Sequence, residues 1–80
     1  MNIREILAAN LRFLRQSKGL SQEELADLAD IDRTYVSLLE RCVYSASIDV
    51  LAKLADALET PTMELLREPT QGSCSQSIER

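Results

Sequence analysis

The stretch IDRTYVSLLER, residues 31 to 41, gathers the side chains best suited to recognition chemistry at a surface. Arg33 carries a forked pair of donors that matches the O6 and N7 acceptors of guanine in a major groove. Thr34 and Tyr35 suit a thymine methyl or a phosphate, Ser37 hydrogen-bonds to either kind of group, and Leu38 shares the same two turns. Arg41, just beyond, is placed to reach phosphates. Each has a plainer reading that stays open. Arg33 can neutralise Asp32 or Asp30, the Tyr35 ring can lie flat on the surface, and Arg41 can be a solvated helix end.

Elsewhere the chain is poor in reactive groups. It has no histidine, and its two cysteines, Cys42 and Cys74, do not stand at metal-ligand spacing. Nothing resembles a catalytic dyad, a phosphate-binding glycine loop or a metal cluster, so the chain reads as a binding protein, not an enzyme, with no metal, cofactor or small-molecule substrate. Without a secretory signal the cysteines read as free thiols in a reducing cytosol, which implies a cytoplasmic protein. No apolar run approaches the roughly 20 residues that span a bilayer.

The chain has 80 residues, 45% of them hydrophobic and only three aromatic, which suits one small helical domain built on Leu and Ala. The domain is expected over residues 1–68. Residues 69–80, PTQGSCSQSIER, read as a flexible polar tail. The net charge of −4 is unevenly spread. Residues 1–20 carry Arg4, Arg12, Arg15 and Lys18 against Glu5, a local charge of +3, while residues 21–45 hold six acids and two arginines. Distribution outweighs the total when a polyanionic partner is in question.

The elements that must hold residues 33–41 in place follow from periodicity and caps. Ile3, Ile6, Leu7, Leu11 and Leu14 predict a first helix from residue 3 to about 18, closed by Gly19. Ser21 with Glu24 forms a capping box for a second helix, about Gln22 to Ala29. Asp32 caps a third, about Arg33 to Arg41. Ser47 caps a fourth, with Ile48, Leu51, Leu54, Ala55 and Leu58 on one side and Thr60-Pro61 as its stop. A short fifth helix is predicted over about Thr62 to Leu66. The expected fold is all-α, a compact five-helix bundle.

The apolar positions of the second and third helices are out of phase, because the chain breaks at Asp30 to Asp32. Two short helices joined this way turn Leu25, Leu28, Ala29, Ile31, Val36 and Leu39 into one core and leave the start of the third helix projecting. Ala26 is expected where the two helices approach closest. Asp30 sits where a positive φ is required, a conformation that aspartate tolerates better than most residues.

The stretch GLSQEELADLADIDRTYVSLLER resembles the helix-turn-helix of the phage repressor/Cro-like (XRE) family of transcription regulators, over roughly residues 4 to 66. IDRTYVSLLER is further similar to the recognition helix of controller proteins from restriction–modification systems. The resemblance implies a lambda repressor-like domain whose third helix enters the major groove of double-stranded DNA. It implies that Gln22 bonds a phosphate and that Arg15 pairs with Glu40 as a structural link. It also implies a homodimer on a palindromic operator with half-sites about 10 bp apart. Leu58, Met63, Leu65 and Leu66 are the expected dimer surface, unless they only close the monomer core.

One segment departs from the family pattern. In ERCVYSASID, Cys42 occupies a place usually held by glycine, which implies strain or an altered turn. Val43 and Tyr44 replace common basic residues, although Tyr44 and Ser45 still offer hydrogen bonds to DNA. A rival reading treats the chain as a protein-interaction module, such as the antitoxin half of a toxin–antitoxin pair; the acidic surface and open tail favour it.

Overall fold

The computed structural model describes residues 2–68; the predicted tail lies outside the described residues. Four α-helices follow one another: α1 (Ile3–Ser17), α2 (Gln22–Ala29), α3 (Arg33–Glu40) and α4 (Ile48–Ala57). A 3-10 helical turn, Thr62–Leu66, follows in place of the expected fifth α-helix. Five residues are too few to repay α-helix nucleation, and Pro61 at its start brings no side-chain cap.

Every α-helix starts on a side-chain cap. Asn2 and Glu5 form a reciprocal capping box at α1, with bonds of 2.9 and 3.0 Å. Ser21 and Glu24 do the same at α2, as expected. The Asp32 carboxylate accepts from the Thr34 N–H at 2.7 Å, and the Ser47 hydroxyl accepts from the Val50 N–H at 3.1 Å.

The helix ends share a second device. After each α-helix one residue enters the left-handed region: Gly19 (φ 70°), Asp30 (φ 60°), Cys42 (φ 63°) and Glu59 (φ 57°). The amide of that residue and the next both reach back to carbonyls of the last turn, as in the Leu20 to Arg15 and Gly19 to Gln16 bonds of α1. Ile31 to Ala26, Val43 to Leu38 and Thr60 to Ala55 repeat the longer bond. Asp30 therefore takes the backbone shape its position required, and Cys42 keeps the glycine geometry despite its side chain. Helix α4 stops at Ala57 through Glu59, before Thr60-Pro61 is reached.

The core is a cluster of Leu7, Leu11, Leu25, Ala26, Ala29, Val36, Leu39, Leu51, Leu54, Ala55, Leu58 and Leu65. Helix α1 packs against α3 and the 3-10 turn, and α2 packs against α3 and α4. Asn10 ties the turn to α1 by donating from Nδ2 to the carbonyls of Leu65 (2.9 Å) and Arg67 (2.6 Å).

Several expected inward residues face out. Leu28 is 60% exposed. At about 100° per residue, Leu25, Ala29 and Ala26 define an inward arc that leaves Leu28 well to one side. Ile48, the first residue of α4, is 82% exposed, and Ile3, the first residue of α1, is exposed as well. Conversely, Leu58 and Leu65 are fully buried and are unavailable as dimer surface, whereas Met63 and Leu66 remain exposed.

The left-handed Cys42 carries a steric penalty of about 1–2 kcal/mol that glycine avoids, offset in part by glycine's larger unfolded-state entropy. Cys42→Gly is expected to raise stability by roughly 0.5–1 kcal/mol. In a domain of this size that lifts the thermal midpoint by a few degrees, readable by circular dichroism.

Candidate nucleic-acid interface

Helix α3 has two faces of opposite character. Val36, Leu39 and Glu40 point inward and are buried. Arg33 and Thr34 are exposed, while Tyr35, Ser37 and Leu38 are half-buried along the outer edge. Arg41, the C-cap, is exposed. Among the described residues no carboxylate pairs with Arg33, so neither Asp30 nor Asp32 neutralises it. The Asp32 carboxylate is instead engaged with a backbone amide, the Thr34 N–H.

The inner end of α3 is held by a polar cluster around Glu40, whose side chain is 1% exposed. Arg15 Nε donates to Oε2 at 2.7 Å and Arg15 Nη2 to Oε1 at 3.0 Å, a two-pronged clasp. Arg15 Nη1 donates to the Leu20 carbonyl at 2.9 Å, in the connection between α1 and α2. One guanidinium thus ties α1, its exit turn and α3 together. The pair the resemblance implied is present, with additional members. Arg12, whose side chain is half exposed, donates from Nη2 to the Glu40 carbonyl at 3.2 Å, and its Nε lies 3.7 Å from Oε1.

Gln22 also belongs to this cluster. Its Nε2 donates to Glu40 Oε1 at 3.1 Å, so its amide is oriented by the protein itself. The sequence reading gave Gln22 a phosphate role and missed this partner, as it missed Arg12. The signal for Arg12 was its spacing, three residues from Arg15 on one helix face.

Burial pushes the Glu40 carboxyl pKa up, but hydrogen bonds from Arg15 and Gln22 and the charges of Arg15 and Arg12 outweigh it. The net effect holds the carboxyl below the ordinary glutamate value.

Beyond α3, Val43 and Tyr44 are exposed on the loop leading to α4. Tyr44 stands edge to face with Tyr35, ring centroids 5.9 Å apart and planes at 82°. The Tyr35 hydroxyl donates to the Ser45 carbonyl at 3.5 Å, a long bond. The Cys42 sulfur lies 3.9 Å from the Arg4 carbonyl. Of the residues expected to meet DNA, Arg33, Thr34, Tyr35, Ser37, Leu38 and Arg41 line one edge of α3, and Tyr44 joins that edge through Tyr35. Gln22 is set apart on α2.

Two short helices joined through a left-handed residue, the second with a buried inner face and a polar, donor-rich outer edge, define a helix-turn-helix unit. The chain belongs to the XRE-type HTH_3 helix-turn-helix family, a family of DNA-binding transcription regulators, whose profile matches residues 11–65. It is 42% identical over 66 residues to the control protein C.SmaI of Serratia marcescens, covering 82% of this chain and 79% of that protein. A hypothetical transcription factor of Neisseria meningitidis serogroup B is 41% identical over 70 residues, 88% of this chain and 66% of that protein. This chain therefore spans just under two thirds of the Neisseria factor's length. The crystal structure of the hypothetical transcription factor NHTF from Neisseria superposes with a TM-score of 0.84 at 42% identity, covering 86% of this chain and 79% of that one. The restriction–modification controller protein C.AhdI from Aeromonas hydrophila gives 0.75 at 44% identity, covering 78% and 94%. Among the described residues no helix is long and apolar enough to cross a membrane.

A depressed carboxyl pKa contributes stability that is present above the unfolded value of about 4.3 and is lost as pH falls through the folded value. The unfolded chain takes up the Glu40 proton first, so acid drives unfolding. Glu40→Gln is expected to lower stability at pH 7 by about 1–3 kcal/mol, through the charged bonds it loses. It should also flatten the decline between pH 5 and 3, approximate bounds set by the carboxylate range. Urea titrations across that range measure both effects.

Proposed function

We propose that this chain is a sequence-specific transcription regulator that binds a palindromic operator as a homodimer, with α3 in the major groove of each half-site. The observation that carries the reading is Arg33: exposed, without an acidic partner among the described residues, and placed at the start of a helix whose other face is wholly buried. Thr34, Ser37, Leu38 and Arg41 extend that edge, and Gln22 adds a phosphate contact in an orientation held by Glu40.

One recognition helix covers only a few base pairs, so a second copy about one helical turn away supplies the specificity that a single domain lacks. Met63 and Leu66 of the 3-10 turn are the exposed apolar residues assigned to that contact, in place of the buried Leu58 and Leu65. Kinship with control proteins of restriction–modification systems supports a similar regulatory post, acting in the cytoplasm on double-stranded DNA. No catalysis or small-molecule substrate is part of the reading. The acidic balance, −4 overall, implies weak non-specific binding, with affinity resting on site contacts.

Selection from a random DNA pool is expected to enrich a two-fold symmetric site; enrichment of no sequence would defeat the proposal. On the enriched site, Arg33→Ala should lower affinity by about 1–3 kcal/mol for each half-site, roughly five- to 150-fold apiece, and relax preference at one base pair per half-site. Fluorescence anisotropy on matched and substituted duplexes gives both readings.

A further inference from the structure

Tyr35 packs at the edge of the core, the exposed Tyr44 of the following loop lies against its ring, and neither belongs to the Glu40 cluster. We propose that Tyr44 is a positioning residue for Tyr35: it holds the Tyr35 ring in one rotamer, so that Tyr35 meets the DNA in one orientation. The inference rests on the reading of α3 as the DNA-reading helix.

Tyr35 is the third residue of α3, half-buried at the outer edge. In a helix its χ1 has two accessible wells, and these aim the ring in different directions along the surface. The perpendicular contact with Tyr44, 5.9 Å between centroids, favours one of them. Edge-to-face pairs stabilise by enough to bias two rotamers about two- to tenfold. The Tyr35 hydroxyl lies 3.5 Å from the Ser45 carbonyl, too far to fix its proton, so the orientation of the ring rests on Tyr44. Tyr44 thus grips the ring from one short segment.

A fixed ring places the Tyr35 hydroxyl at one point of the surface, where a phenol can donate to a purine N7 or accept from an exocyclic amino group in the major groove. Tyr44 therefore sharpens which base pair Tyr35 reads, although Tyr44 itself need not touch DNA. The same placement gives a role to the tyrosine that stands where basic residues are common: it serves the reading helix instead of the phosphates.

The test combines NMR of the free protein with DNA selection. In the free wild-type chain the Tyr35 ring protons should be shifted by the Tyr44 ring current, and Tyr44→Ala should abolish the shift; its absence from the wild type overturns the grip. In selection from a random pool, Tyr44→Ala should lose about two- to tenfold of the discrimination at one base pair per half-site. Preferences elsewhere and the thermal midpoint should hold, and Tyr44→Phe, which keeps the aromatic ring, should restore the lost preference. A uniform loss of affinity with a shallower salt dependence would make Tyr44 a phosphate contact and sink the proposal. If wild type and Tyr44→Ala enrich the same site equally, the positioning role fails while the DNA reading survives. If the wild type enriches nothing, the DNA reading fails and takes this proposal with it.

Discussion

The clasp between Arg15 and Glu40 is the constraint on which the rest of the molecule depends. It joins α1 to α3 in a place where neither residue has much water to turn to, and the third guanidinium nitrogen of Arg15 holds the connection between α1 and α2. A buried pair of this kind adds little net stability over an apolar substitute, because desolvation takes back most of the Coulomb gain. Its contribution is orientation. Two apolar faces slide over one another at small cost, whereas a forked guanidinium on a carboxylate accepts one alignment. The rotation of α3 about its own axis, and hence the direction of Arg33 and Thr34, follows from that alignment. Gln22 is drawn into the same cluster, so the residues assigned to bases and to phosphate are referred to one buried carboxylate.

Helix ends supply the second constraint. Four helices in fewer than 70 residues leave little room for loops, and each reversal is made by a single left-handed residue. Only one of the four is glycine. Asp30, Cys42 and Glu59 adopt the conformation because the two backbone bonds made there satisfy the last carbonyls of each helix. After Asp30, Ile31 packs on the core, which locks the joint between α2 and α3. After Cys42, Val43 stays exposed, and the loop that follows is free to lie against Tyr35.

Charge is distributed to match. Acids sit in the first turns of α2 and α4, at Glu23, Glu24 and Asp49, where the helix dipole favours them. The described ion pairs occupy Arg12, Arg15, Lys18 and Arg67, whereas Arg33 has no such partner. An acidic body with a donor-rich edge on one helix disfavours most encounters with a polyanion and leaves one orientation attractive.

Helix boundaries were legible in the sequence because the interactions that set them are local. Ser21 with Glu24, Asp32 with Thr34, and Ser47 with Val50 close bonds within three residues, and no distant part of the chain alters them. The outer edge of α3 was legible for a related reason: periodicity assigns Val36 and Leu39 to one face and leaves Arg33, Thr34 and Ser37 on the other. Which apolar residues ended inside was not a local matter. Leu28 and Ile48 came to the surface, and Leu58 and Leu65 were taken into the core, because burial depends on which neighbouring element arrives to cover a face. The attachment of Gln22 and Arg12 to Glu40, and of Tyr44 to Tyr35, likewise had to wait for the tertiary structure. Those partners are nine to 28 residues apart, and only packing brings them within reach of a hydrogen bond or a ring edge.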